Sequence, residues 1–106
     1  MSKYLIIGSY SADGIKGVLA KGGTARKTAT EASIAAMGGT VESFHFAFGG
    51  DDAYVLVELP DNVTAAALGL QASASGMVST RTVVLLTPEE IDRAAQVPAT
   101  YRPPGT

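Results

Sequence analysis

Residues 41–59 hold the strongest constraint on how this chain can fold. Two runs rich in β-branched and aromatic residues, 41–48 and 53–59, flank Gly49-Gly50-Asp51-Asp52, the composition of a tight hairpin turn. A two-residue loop at Gly50-Asp51 sets Phe48 opposite Ala53, Phe46 opposite Val55 and Phe44 opposite Val57. That side is wholly apolar. The other side pairs Ala47 with Tyr54, His45 with Leu56 and Ser43 with Glu58. A one-residue slip would send every side chain to the wrong face, so the contrast between faces is expected to fix the register. One face belongs to a core, and the other carries the chain's single histidine.

The chain around this hairpin has 106 residues, enough for one domain with a real core. Hydrophobic residues make up 46% and charged residues 17%, the balance of a folded protein rather than a disordered one. A net charge of -2 leaves no basic footprint, which argues against nucleic acid as a partner. The absence of cysteine excludes disulfides, thiolate metal sites and a cysteine nucleophile. No apolar run approaches the roughly 20 residues that span a bilayer, and Lys3-Tyr4-Leu5-Ile6-Ile7 is too short for a signal segment. The expectation is a soluble, cytoplasmic protein without a membrane partner.

Along the chain, strands and helices alternate. Residues 3–10 read as a strand. Ser11 caps a short helix with Ile15, Val18 and Leu19 at helical spacing, and Gly22-Gly23 interrupts it. Thr24 is expected to cap a second helix with a thin stripe of Ala25, Ala29, Ala32, Ala36 and Met37, ended by Gly38-Gly39. After the hairpin, Pro60-Asp61 opens a helix with Val63, Ala66, Ala67, Leu70 and Ala74 inward. Residues 78–87 form a fourth strand. Thr87-Pro88-Glu89-Glu90 is a capping box with proline at the first helical position. Residues 1–96 thus form one domain, and residues 97–106, with three prolines, an irregular tail suited to an arm on a partner subunit.

The order β-α-β-β-α-β specifies an α+β, ferredoxin-like unit: a four-stranded antiparallel sheet with helices on one face. The other face needs water or a cover. Leu5 and Ile7 oppose Tyr4 and Ile6, and Val83 and Leu85 oppose Val84 and Leu86, so strands one and four are apolar on both sides. A second copy of the same sheet is the simplest cover, which makes a homodimer, or a higher oligomer, the expected partner.

Ser11-Ala12-Asp13-Gly14-Ile15-Lys16, Arg26, Gly38-Gly39, Phe48-Gly49-Gly50-Asp51-Asp52, Glu58-Leu59-Pro60-Asp61 and the Ala-rich helix after them resemble the GYD-domain family over residues 3–92. The signature itself departs from the family: Asp51 stands where the family has tyrosine. The resemblance implies a ferredoxin-like fold of the dimeric α/β-barrel type. It implies no particular activity, because this fold hosts unrelated functions.

His45, Tyr54 and Glu58 share the mixed hairpin face, with Tyr54 and Glu58 expected diagonally beside His45. A histidine next to a carboxylate and a phenol suits a general base; a hydrogen-bonded polar cluster at a subunit interface uses the same residues. Tyr4 and Tyr10, one strand over, are candidates to line the same ligand space. Arg26, with Lys21 and Lys27 around Gly22-Gly23, is the candidate contact for an anionic ligand, a solvated basic turn being the alternative. Asp51, Asp52 and Glu42 suggest a cation at most weakly, since turn acids commonly bond their own backbone. No metal or cofactor is therefore expected. Two functions stay open: a module binding a small organic ligand in a cavity beside the sheet, and a cofactor-independent isomerase, cyclase or oxygenase with His45 as base. A structural scaffold dimer is the third.

Overall fold

The computed structural model describes residues 1–106. The elements are β1 (Ser2–Tyr10), α1 (Ala12–Lys21), α2 (Gly23–Ala36), β2 (Thr40–Phe46), β3 (Ala53–Leu59), α3 (Asn62–Ala74), β4 (Val78–Leu85) and α4 (Pro88–Gln96). The strands form one antiparallel sheet in the order β2-β3-β1-β4, so the fold is α+β and ferredoxin-like, with α1 and α2 together filling the first crossover.

Strand pairing sorts the side chains. Tyr4 and Ile6 of β1 lie opposite Val57 and Val55 of β3, and opposite Val84 and Thr82 of β4. This is the helix-covered face. Tyr4, Ile6, Val55, Val57 and Leu59 pack there against Ile34 of α2 and Ala65 of α3 to form the core. Leu5 and Ile7 lie opposite Leu56 and Tyr54 on one side and Val83 and Arg81 on the other. No helix covers that second face.

The helix ends follow their sequence signals closely. The Ser11 hydroxyl accepts the Gly14 N–H (3.1 Å), and an Asp61 carboxylate oxygen accepts the Thr64 N–H (2.8 Å). Thr87 and Glu90 form the reciprocal capping box. At the end of α2 the Gly39 N–H reaches the Ile34 carbonyl (2.9 Å) and the Gly38 N–H that of Ala35 (3.0 Å). Gly38 has φ of 84°, which makes this a Schellman stop.

Three expectations are corrected. The hairpin register is shifted by two: Phe46 faces Ala53, Phe44 faces Val55 and His45 faces Tyr54, with an irregularity between Val41 and Ser43. The acids of the loop cause the shift, because they bond to β1. The Asp52 N–H donates to the Gly8 carbonyl (2.8 Å), and the Asp52 carboxylate accepts the Tyr10 N–H (2.8 Å). Asp51 accepts from the Ser9 hydroxyl (2.9 Å). The turn therefore widens to residues 47–52, leaving Phe48 fully exposed at its tip.

Thr24 does not cap α2; Gly22 does, with φ of 88°. That left-handed conformation ends α1 and launches α2 within one residue. On α3, Ala65 is the buried residue while Val63 and Leu70 stand exposed. The helix is apolar nearly all round, so its own pattern leaves the rotation open. The Asp61 cap and the hydrogen bond from the Tyr4 hydroxyl to Asn62 (2.7 Å) set it instead.

Candidate functional site

The sheet divides the six candidate residues into two groups. Tyr4, Tyr10 and Arg26 lie on the helix side. His45, Tyr54 and Glu58 belong to the open side. Tyr4 and Tyr10 therefore do not share a space with His45, because Tyr4 pairs with Val57 while Tyr54 pairs with Ile7, and strand alternation sends those pairs to opposite faces.

On the open side, His45 lies on the edge strand β2, exposed and directly opposite Tyr54. Glu58 is not its diagonal neighbour. It pairs with Thr40 and Lys3, four residues beyond Tyr54, or about 13 Å along the strand. The two-residue shift of the hairpin is what separates them. Tyr54 in turn leans toward Asp51, whose carboxyl is held below its ordinary value by hydrogen bonds from Ser9 first and Arg81 next, with a smaller one from Tyr54. Arg81 Nη2 sits 2.8 Å from Asp51 Oδ2. Glu42 is at the far end of the sheet, 3.2 Å from Lys3. Asp51, Asp52 and Glu42 thus fail to converge, and no three potential metal-ligating side chains cluster anywhere in the fold.

These bonded acids give the fold a pH dependence. The Thr64 backbone N–H lowers the pKa of Asp61, and the Thr87 backbone N–H lowers that of Glu90. A carboxylate whose folded pKa is depressed stabilises the native state fully above its unfolded pKa, about 4. That contribution is lost as pH falls through the lower folded value. Denaturant titrations are expected to show wild-type stability falling as pH drops below about 4, with Asp51→Asn less stable at neutral pH and less sensitive to acid. An equal acid response in the two proteins would remove Asp51 from the account.

On the helix side, α1, α2 and α3 enclose a groove of about 850 Å³. Small side chains create it. Gly14 and Gly17 of α1, Ala25 and Ala29 of α2, and Ala72 of α3 all face it, and none is large enough to fill the gap between helices. Gly14 has a second reason: a Cβ there would run into the Met77 carbonyl. The Ser11 N–H donates to that same carbonyl (2.9 Å), tying α1 to the start of β4 at one end of the groove. Val18, Met37, Leu68 and Val78 supply apolar wall. Tyr10 lines the groove from β1 and Arg26 from the first turn of α2, and Lys21 joins Arg26 there. Asp13 is the one acid on the lining, 3.9 Å from Lys16.

Of the sequence candidates, then, the structure brings together Tyr10 and Arg26. Tyr4 lines a separate, smaller hollow of about 490 Å³ between α3 and β4. Lys21 was visible in sequence as part of the basic turn. Gly17 and Ala72 gave no chemical signal of their own. Their only trace is the recurrence of small residues along one face of each helix.

A ferredoxin-like sheet, a first crossover broken at Gly22 and stopped at Gly38, and hairpin acids anchored on β1 make up a small α+β domain. The family model for the GYD domain matches residues 4–95, and the chain belongs to this family. No curated protein and no solved structure matches it. No helix is long and apolar enough to cross a membrane.

Proposed function

We propose that this GYD-domain protein is a binding module that takes a small organic ligand into the groove between α1, α2 and α3. The groove itself carries the reading: about 850 Å³ lies within the range of small-molecule sites, mostly apolar with a few polar groups. Lys21 and Arg26, neither in a salt bridge with an acid, favour a ligand with an apolar body and an acidic group. Catalysis by His45 draws no support from this cavity, because the sheet stands between them.

An apolar anionic dye, 8-anilinonaphthalene-1-sulfonate, is a suitable probe. Wild-type protein is expected to bind it with enhanced fluorescence. Ala29→Trp, which fills the groove from an exposed helical position, should abolish that binding while circular dichroism stays unchanged. Binding that survives Ala29→Trp, or no binding to wild type, overturns the reading.

The open sheet face supports a homodimer as the form in which the module works. Leu5, Ile7, Leu56 and Val83 form its apolar centre, and the ion pairs Lys3–Glu42 and Arg81–Asp51 lie at opposite ends. An apolar centre with a polar rim is the anatomy of a protein interface. Charges already paired within the chain lose less on desolvation than free ones. In such a dimer His45 and Tyr54 would sit between subunits, in keeping with a structural role.

A further inference from the structure

We infer that α4 and the tail after it form an arm that packs on the second copy of the chain. The inference rests on the sheet-face dimer proposed above and adds to it a reciprocal exchange of helices.

The arm is built as a real helix. Thr87 accepts the Glu90 N–H (3.1 Å) and Glu90 accepts the Thr87 N–H (2.9 Å), with Pro88 at the first turn. Leu86 and Ile91 occupy the two positions of a hydrophobic staple around this cap. Ile91, Ala94 and Ala95 recur at i, i+3 and i+4 of α4, one apolar stripe opposite Glu89, Asp92, Arg93 and Gln96. Nothing in its own chain receives that stripe. α4 buries no residue and forms no substantial packing with any other element. A helix of nine residues is marginal in water without tertiary contacts, so its apolar side calls for a partner.

The dimensions of the chain leave enough surface for a second copy to cover. The radius of gyration is 16.7 Å, with extents of 54 × 34 × 23 Å, against about 13 Å for a compact chain of this length. The accessible surface is 7147 Å², where a compact protein of this mass exposes about 5,500 Å². The surplus of about 1,600 Å² per chain puts a two-chain interface in the range of obligate homodimers. The arm also leaves from the rim of the proposed interface: Leu85, the last residue of β4, belongs to the open face, and α4 begins three residues later. An arm that crosses from this rim to the other chain is matched, under two-fold symmetry, by the partner's arm crossing back.

The absence of cysteine makes a direct test simple. Ile91→Cys, labelled with benzophenone maleimide and irradiated, is expected to give a covalent dimer on a denaturing gel. Glu89→Cys, on the polar side of α4, should give far less. In the full chain, Ile91→Asp combined with Ala95→Asp should weaken dimerisation about a hundredfold by analytical ultracentrifugation. Neither position is packed in the protomer, so its fold should survive, and a sheet-face dimer should persist at high concentration. Cross-links confined to one chain, or an unchanged dissociation constant, overturn the arm while leaving the sheet-face dimer standing. A wild-type protein that is monomeric throughout overturns both.

Discussion

Ile34→Ala is expected to destabilise the protein by about 3–4 kcal/mol, near the middle of the range for truncating a buried isoleucine. Ile34 is fully buried, and it is the one buried residue of α2. The rest of that helix is alanine, glycine, threonine, serine and charge, with little to hold it to the sheet. Ile34 belongs to the core cluster with Tyr4, Ile6, Val55, Val57 and Leu59, and its carbonyl also accepts the Gly39 N–H that ends the helix. Truncation leaves a cavity at the point where α2 is anchored, and the neighbouring alanines cannot fill it. At about 4–8 °C per kcal/mol for a domain of this size, the melting temperature should fall by 15 °C or more. Ala32→Gly, on the exposed side, should cost only about 1 kcal/mol through helix propensity. A loss for Ile34→Ala no larger than that of Ala32→Gly would mean that α2 is held by something else.

The order of elements and the faces of the strands were legible because each rests on local signals: period-two alternation, the caps at Ser11, Asp61 and Thr87, and glycine pairs at the helix stops. The hairpin register was not. A slip of two residues keeps every side chain on its face, so alternation alone cannot choose between Phe46 opposite Val55 and Phe46 opposite Ala53. The choice is made by Asp51 and Asp52 bonding to Ser9 and Tyr10, 42 residues away in sequence. The same slip parted Glu58 from His45. The rotation of α3 was equally hidden, since a nearly uniform apolar helix has no preferred side. As for the candidate site, Arg26 and Tyr10 were visible because they carry functional groups. The groove they line is made by Gly14, Gly17, Ala25 and Ala29, where side chains are missing, and only the packing of three helices turns that absence into a space.

The two glycines that end α2 look alike in sequence, yet their substitution should separate two kinds of cost. Gly38 has φ of 84°, and a Cβ there would meet only Pro60 Cγ at an ordinary 3.5 Å. Gly38→Ala should therefore lose the price of a left-handed alanine, about 1–2 kcal/mol. Gly39 is not in the left-handed region, so alanine could take its backbone conformation. A Cβ at this position, however, would run into the Glu58 carbonyl, and it would lie 2.7 Å from Leu59 Cδ2 and 3.1 Å from Ile34 Cγ2. None of these can yield cheaply. Glu58 is paired to both Thr40 and Lys3 in the sheet, while Leu59 and Ile34 are fully buried. Gly39→Ala should accordingly cost about 3 kcal/mol, the upper end for overpacking, and push β2 away from β3 where the two strands begin to pair. Guanidinium melts of the two variants decide the matter: Gly39→Ala as mild as Gly38→Ala would show that the junction between α2 and β2 has room to move.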